Sequence, residues 1–299
     1  MPISVAWRLS QKAKSEGKPE VVFLPVDFER YDKASNEVFK IIRKYAKLVE
    51  PASIDEFYFD LSFAKSYGKA EKICKKIKED IRKKLKVTCS IGIGLNKLIS
   101  KIAAGKQKPD GLVIIKERDS EKFLEPLSIR ELPGIGPKTE QIFNQRDVKI
   151  VKELKRFSKY ELHEILGKWG DDIYYKARGL DDSPLVENRD AKSIGEQITF
   201  LGDTLDVIYI GEVFENLCKD VFKRFLESGF KTFKTVGVTV RFFDFETKTT
   251  AKTLKNATSS EKDFKMESLK LLLPYLDRRK NPKKKLIRLI GVKLEKFNG

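Results

Sequence analysis

The sequence predicts a multidomain protein of the α+β class, and three observations lead to that prediction. Strand-like and helix-like segments follow one another in the order β-α-β-β-α-β over residues 1–116. Glycine-bearing turns flanked by helical patterns occupy residues 117–187, and residues 188–299 return to a mixture of strands and helices. A chain of 299 residues is long enough for two or three domains. We therefore expect two α+β domains with a small helical domain between them.

The elements of the first domain follow from the spacing of its apolar residues. Strands are predicted at residues 20–26, 87–94 and 112–115, and a hairpin is predicted at 51–62, where apolar and polar residues alternate. Two amphipathic helices separate these strands, because apolar residues recur at helical spacing. They are Val38, Ile41, Ile42, Tyr45 and Leu48 in the first helix and Ile73, Ile77, Ile81 and Leu85 in the second.

The helical domain is predicted from its turns. The segment LPGIGPK at residues 132–138 matches a helix-hairpin-helix turn. Gly134 and Gly136 let the backbone approach a phosphate closely, the next helix directs N–H groups at it, and Lys138 adds positive charge. A plain connecting turn is the alternative interpretation. A second turn, GKWG at 167–170, is weaker alone but supports the first by pairing with it.

The last domain begins after a polar linker at residues 181–192. Strands are predicted at 232–243, 249–254 and 285–297, with a helix at 262–276 between the second and the third. This order again belongs to the α+β class.

The charge of the chain indicates a polyanionic partner. Lys and Arg number 61 against 44 Asp and Glu, which gives a net charge of +17, and such a field favours nucleic acid over a membrane. No apolar run reaches membrane-spanning length, and the N-terminus does not fit a secretory signal. The single histidine and the spacing of the three cysteines argue against a histidine triad, a zinc site or a disulfide framework.

Two adjacent acids, Asp55 and Glu56, interrupt the apolar run of the predicted hairpin. Neighbouring residues on a regular strand point to opposite faces, so both carboxylates reach one place only from a bend or a tight hairpin. A solvated turn is the ordinary explanation of such a pair. A shared metal site is the functional one.

Lysines follow the glycine-bearing strand SIGIG in the segment 90–111. Lysines placed after a strand can hold a triphosphate as point charges, although for any one of them a solvated position is the simpler interpretation. The four are Lys97, Lys101, Lys106 and Lys108.

Five of these segments occur in an order that resembles the Y-family DNA polymerases of the DNA polymerase IV type. They are SIDEFYFD, GIGLNKLISKIAAGKQKPDG, LPGIGPK, KSIGEQITF and VRFFDFETKTTAKTL. The resemblance extends over essentially the whole chain. It implies an incomplete ferredoxin-like palm at residues 1–116, of which 1–17 are a remnant of the fingers-to-palm connection. It further implies a helix-hairpin-helix thumb at 117–187, and a linker with a little-finger domain at 188–299.

The resemblance also implies a DNA-directed DNA polymerase of the low-fidelity, damage-bypass type. By that likeness Asp55 and Glu56 bind the two Mg²⁺ ions of nucleotidyl transfer, and Lys108 holds the triphosphate of the incoming dNTP. Primer–template DNA is the expected partner, a sliding clamp is a further candidate without a visible clamp-binding tail, and the expected location is the cytoplasm, at the nucleoid. Expected DNA contacts are Gly134, Gly136, Lys138, Lys192, Ser193, Arg241, Lys252, Arg288 and Lys293.

One departure from the family pattern concerns the first palm strand. In the family a segment like VDFDxFY carries a third metal ligand and precedes the fingers, whereas this chain starts with MPISVAWRLSQ, which matches the part after the fingers. Asp27 in PVDFERY is not a substitute, because a similar segment occurs separately in the family, before the first palm helix. We therefore expect activity to need an N-terminal segment from elsewhere. The alternative is a non-catalytic DNA-binding protein derived from such a polymerase.

Overall fold

The computed structural model describes residues 1–19 and 21–298 of the chain. They form two compact units, Met1–Asn188 and Arg189–Gly299. Both units combine helices with sheets, so the predicted α+β class is confirmed. Within the described residues no helix is both long and apolar enough to cross a membrane.

The first unit contains nine α-helices and four short strands among its described residues. The helices are α1 (Ile3–Ser15), α2 (Phe28–Arg43), α3 (Tyr67–Leu85), α4 (Lys97–Gly105), α5 (Ser120–Leu124), α6 (Pro137–Asn144), α7 (Val151–Leu154), α8 (Lys159–Leu166) and α9 (Lys168–Lys176). The strands are β1 (Val49–Pro51), β2 (Phe57–Phe59), β3 (Ile91–Ile93) and β4 (Leu112–Ile114). Both predicted amphipathic helices are therefore present as α2 and α3.

The four strands form two separate pairs. β1 and β2 are antiparallel, with Val49 opposite Phe59, whereas β3 and β4 are parallel. One apolar core joins the pairs, because Ile41 of α2 and Ile77 of α3 belong to a buried cluster that contacts Phe59 of β2 and Ile91 of β3. The same helical layer thus covers both pairs of strands.

The predicted strand at residues 20–26 is wrong for residues 21–26; Glu20 lies outside the described residues. Residues 21–26 form neither helix nor strand, and their side chains face solvent, with Leu24 80% exposed. A strand persists only where its N–H and C=O groups pair with a neighbour. Among the described strands none pairs with this segment, so its apolar sequence alone does not make it a strand.

The helical part of the first unit has its own core. Phe143 of α6, Leu162 of α8 and Ile173 of α9 are buried there, together with Ile99 and Ile102 of α4. Helix α4 therefore belongs to this core while its N-terminus lies beside the strands.

The second unit is one four-stranded antiparallel sheet covered by two helices. Its elements are β5 (Ser193–Thr204), α10 (Val207–Glu227), β6 (Thr232–Phe242), β7 (Thr247–Thr258), α11 (Glu261–Leu276) and β8 (Ile287–Asn298), and the sheet order is β5-β8-β6-β7. Val236, Val238 and Val240 of β6 are buried in one cluster with residues of α10 and α11. Because side chains alternate along a strand, Thr235 and Thr239 point to the opposite, helix-free face.

Candidate active site

The acidic pair lies at the tip of the β1–β2 hairpin. The carbonyl oxygen of Glu56 accepts hydrogen bonds from the amides of Ala52 (2.9 Å) and Ser53 (3.1 Å), which closes a tight turn. The hydroxyl of Ser53 donates to Oδ1 of Asp55 at 2.6 Å. The two carboxylates are therefore on a bend, the geometry that allows adjacent residues to reach one place.

Helix α4 brings lysines to this hairpin. Its N-cap is Asn96, whose side-chain oxygen accepts a hydrogen bond from the amide of Ile99 at 3.0 Å. Lys97 and Lys101 are one helical turn apart, so their side chains share a face. The ammonium of Lys101 forms an ion pair with Glu56.

A cleft of about 840 Å³ lies beside the acidic pair. Asp55 and Glu56 line it, as do Lys97, Lys101 and Lys108, so the structure brings the acidic pair together with three of the four candidate lysines. Carboxylates and lysines along one cleft can hold a metal ion and an anionic phosphate side by side.

Tyr58 lies between the acids and the lysines and is half-buried. Burial, with the nearby carboxylates of Glu56 and Glu50 adding to it, raises the pKa of Tyr58 to about 12. The ammonium of Lys97 lies 5.5 Å from the centre of its ring. Tyr58 therefore stays a neutral wall of the cleft at physiological pH.

A buried ion pair anchors the hairpin to α4. Glu50 of β1 has no exposed surface, and its Oε2 accepts hydrogen bonds from Lys97 Nζ at 2.8 Å and from the amide of Val186 at 3.1 Å. Lys97 Nζ also donates to the carbonyl of Pro184 at 2.9 Å. One carboxylate thus holds three parts of the chain together.

Residues 179–187, which we name the exit segment, are fixed by further contacts of the same kind. The side-chain amide of Asn96 donates to the carbonyl of Gly179 at 2.8 Å, and the amide of Leu98 donates to Asp181 at 3.0 Å. Arg43 of α2 forms an ion pair with Glu187. The exit segment is consequently fixed to the N-terminus of α4 and to α2.

The chemistry of the acidic pair suits Mg²⁺, which prefers carboxylate oxygens in octahedral geometry. Asp55 and Glu56 would hold such an ion. No group of three or more Asp, Glu, His or Cys side chains able to bind a metal occurs among the described residues. Asp27 has a structural role instead, because its carboxylate accepts a hydrogen bond from the amide of Arg30 at 3.0 Å and caps α2.

The glycine turn of the helical part is built around a glycine in the left-handed region. Gly134 has φ +103°, and a Cβ there would lie 3.3 Å from the ring of Trp169 in the second turn. Gly136 precedes α6 as its N-cap, and Lys138 is exposed in the first turn of that helix. The two predicted turns therefore lie side by side, because Trp169 of one contacts Gly134 of the other.

Three predicted DNA contacts of the second unit lie on the helix-free face. Ser193 of β5 lies opposite Glu295 of β8, two residues from Lys293, so Ser193 and Lys293 are on the same face. Arg241 of β6 is four residues from Gly237, which lies opposite Lys293, and it is therefore on that face as well. The side chain of Lys293 lies across Gly237, where a Cβ would be 2.6 Å from its Cε. Only a residue without a side chain leaves room for that arrangement.

The remaining predicted contacts are placed differently. Lys252 is opposite Val236 and forms an ion pair with Glu267 of α11, so it lies on the helix-covered face. Arg288 contacts Asp203 at 3.3 Å and stacks over Phe245 at 4.7 Å. Lys192 is exposed directly before β5.

Sequence reasoning missed Glu50, the ion-pair role of Lys97 and the exit segment. Glu50 is one acid among 44 Asp and Glu residues. Its only local signal is its position between apolar residues at the start of the hairpin. The face of Lys252 was open to prediction, because Leu254, two residues later, is apolar and must share its face.

The sequence of this chain is similar to those of known DNA polymerases. Residues 1–105 match the impB/mucB/samB family, 130–181 match the thumb domain of DNA polymerase-iota, and 191–299 match the impB/mucB/samB family C-terminal domain. DNA polymerase IV 2 of Methanosarcina mazei is 37% identical over 298 residues, which span 99% of this chain and 77% of that protein. DNA polymerase IV of Nitrosopumilus maritimus is 36% identical over 290 residues, spanning 96% and 78%.

Solved structures show the same likeness. A chimera of Y-family DNA polymerases, Dbh-Dpo4(243-245)-Dbh, superposes with a TM-score of 0.79 and 25% identity, over 92% of this chain and 78% of that one. The insertion ternary complex of Dbh DNA polymerase has a TM-score of 0.64 and 25% identity, over 99% and 82%.

Proposed function

Because the chain belongs to the Y-family DNA polymerases of the DNA polymerase IV type, we propose that it extends a DNA primer by magnesium-dependent nucleotidyl transfer opposite damaged template bases. The primer 3′-hydroxyl attacks the α-phosphate of a dNTP, and pyrophosphate leaves. The observation that carries the proposal is the meeting of Asp55, Glu56 and Lys108 along one cleft. As part of the same proposal, the chain acts in the cytoplasm, at the nucleoid.

Each cleft residue has a distinct part in this reaction. Asp55 and Glu56 would hold Mg²⁺, which when bound would supply positive charge to the attacking and leaving oxygens. Lys108 contacts the triphosphate as a point charge. Lys101, which is paired with Glu56 here, is free to turn to a phosphate once that carboxylate binds metal. Little covalent chemistry falls to the protein, so positioning dominates.

We place the DNA contacts on two surfaces. The amides of Gly134 and Gly136 with Lys138 bind a phosphate at the glycine turn. The helix-free face of the second unit, with Ser193, Arg241 and Lys293, follows the DNA backbone. Lys192 and Arg288 extend this surface. Lys252 contacts DNA only if its ion pair with Glu267 is broken first. Such contacts carry no base information.

Two carboxylates are fewer than a two-metal site of this family uses, so the proposal includes a third ligand from a segment outside these 299 residues. The absence of a three-ligand cluster among the described residues supports this part. It also favours the second candidate, a protein that binds primer–template DNA without incorporating nucleotides.

Primer extension separates the two candidates. The full chain is mixed with an N-terminal polymerase fragment that carries the family VDFDxFY strand, Mg²⁺, dNTPs and a primer–template containing an abasic site. We expect extension with the wild-type pair and a loss of at least about 100-fold in Asp55→Ala and Glu56→Ala, in line with the loss of a transition-state contact. Glu79→Gln, a carboxylate that pairs with Lys83 on α3, is the matched control and should extend normally.

DNA binding without extension, in every mixture, would select the non-catalytic candidate. Normal extension by Asp55→Ala or Glu56→Ala would remove both residues from the proposed metal site.

A further inference from the structure

Lys108 lies on a short connection between α4 and β4, residues 106–111, which we name the lysine loop. Its side chain lines the cleft and is exposed. Among the described residues its ammonium forms no ion pair or hydrogen bond. Because no other side chain holds this ammonium, its place in the cleft depends on the backbone of the lysine loop.

The backbone of the lysine loop turns back on itself around Lys108. Asp110 has φ +56°, in the left-handed region. A Cβ at Gly111 would lie 2.1 Å from the carbonyl oxygen of Gln107, so the absence of a side chain lets the chain return this closely. Gln107 and Gly111 flank Lys108 within the turn. A group that fixes the Gly111 end therefore also fixes the position from which Lys108 extends.

Lys78 of α3 is bonded to this end of the lysine loop. Its ammonium donates to Oδ1 of Asp110 at 2.6 Å and to the carbonyl of Gly111 at 3.2 Å. It also donates to the carbonyl of Cys89, two residues before β3, at 2.5 Å. An ammonium has three donors, so all three are used. Lys78 thus ties the lysine loop to α3 and to the chain that enters β3.

The surroundings of Lys78 make this a fixed arrangement outside the cleft. Its side chain is 16% exposed, and an ammonium withdrawn from water is costly unless acceptors surround it, so the three acceptors must stay together. Ala70 and Cys74, also on α3, line the cleft, whereas Lys78 is not among the described residues that do. Any influence of Lys78 on a ligand of the cleft therefore passes through the lysine loop.

We propose that Lys78 is a positioning residue for triphosphate binding. Its three hydrogen bonds set the backbone of the lysine loop, and from that backbone Lys108 reaches the triphosphate. Lys78 itself does not touch the nucleotide. A point charge contributes to binding only where it is held near the phosphate, so a loosened loop weakens the contact of Lys108 without removing it. The proposal rests on the proposed function for the ligand of Lys108.

Calorimetric titration of the full chain with dATP and Mg²⁺ tests the path through Lys108. We expect Lys108→Ala to weaken dATP binding about tenfold, the effect of losing one charged contact. Lys78→Met should weaken it about three- to tenfold, because the contact is loosened. The double variant should bind as Lys108→Ala does, within about twofold, since the loop then has no ammonium to position.

Amide exchange followed by NMR tests the hold on the loop in the same proteins. The amide of Gly111, which donates to the hydroxyl of Ser90 at 3.1 Å, should exchange at least about fivefold faster in Lys78→Met. The amide of Ile41, in the buried cluster of α2, should be unchanged and shows that the variant is folded. Lys75→Met is the matched control. It removes an exposed lysine of the same helix and should change neither dATP binding nor exchange.

Two results overturn the inference while the proposed function stands. One is a loss in Lys78→Met that adds in full to that of Lys108→Ala, because Lys78 then acts on the nucleotide by another route. The other is unchanged exchange at Gly111 in Lys78→Met. Failure of the proposed function gives a different result: Lys108→Ala then binds dATP as the wild type does, or neither binds it. Lys108 is in that case no triphosphate contact, and the inference is overturned with it.

Discussion

Breaking the buried Glu50–Lys97 pair should destabilise the first unit more than removing both partners. Lys97→Met removes the ammonium that pairs with the carboxylate of Glu50, whose side chain is 1% exposed. Removing one partner of a buried ion pair costs about 3–5 kcal/mol. Glu50→Met should cost less, because the Lys97 side chain is 17% exposed and can turn toward water.

The double variant Glu50→Met/Lys97→Met removes both charges of this pair and leaves the amide of Val186 without the Glu50 acceptor. An unsatisfied buried donor costs about 1–3 kcal/mol. We therefore expect the double variant to be more stable than Lys97→Met alone. The coupling energy between the two positions should exceed about 2 kcal/mol, the range seen for residues in one network.

Urea unfolding followed by tryptophan fluorescence measures this in the right part of the molecule. The chain has two tryptophans, and both Trp7 and Trp169 belong to the unit Met1–Asn188. Lys101→Met, on the same face of α4, is the control, since its exposed pair contributes about 0–1 kcal/mol. Additive losses, or a loss below about 1 kcal/mol in Lys97→Met, would refute the reasoning.

Three further results are expected. Lys101→Met should raise the Mg²⁺ affinity of the chain about two- to fivefold in calorimetric titration, because an exposed competing ion pair is worth up to about 1 kcal/mol; unchanged affinity contradicts this. Lys293→Ala should lower the slope of log affinity for DNA against log salt by about 1, whereas Lys252→Ala, on the helix-covered face, should leave it unchanged. Lys84→Met should raise the pKa of Glu37 from about 2 toward 4.5 in an NMR titration; because the native pKa is depressed, the stabilisation is present above pH 4.5 and is lost as pH falls toward 2.

Local patterns were sufficient to predict the elements that carry the acids. The alternation after Glu56 gave the hairpin, the helical stripes gave α2 and α3, and LPGIGPK gave a turn with Gly134 at positive φ. In each case the signal and the structure lie within a few residues of each other. Such features depend on backbone sterics and on one buried face, which a short segment determines by itself.

The contacts that sequence did not predict join distant segments. Glu50 meets Lys97 across 47 positions, and it meets Val186 across 136. From the sequence alone, any lysine near the start of α4 could pair with Glu50. Only the packed structure shows that Lys97 is the partner. The strand predicted at residues 21–26 was wrong because a strand also depends on distant residues. The apolar residues there satisfy a strand pattern, but a strand needs a neighbour to pair with, and no local pattern reveals whether one is present.

Helix α4 shows how packing connects the cleft to the helical part of the unit. Lys97 and Lys101 face the acids from one side of the helix, while Ile99 and Ile102 on the other side are buried in the core of the glycine-turn region. Nine residues are too few for a helix to be stable alone, so its position depends on that core. A change in the core therefore moves the lysines, and with them the carboxylates that they hold. Because α4 belongs to both the cleft and the core, the positions of the cleft charges are only as rigid as the packing of that core. Glu50, which is buried between the hairpin, α4 and the exit segment, fixes this helix to the hairpin, although no local sequence pattern marks it as important.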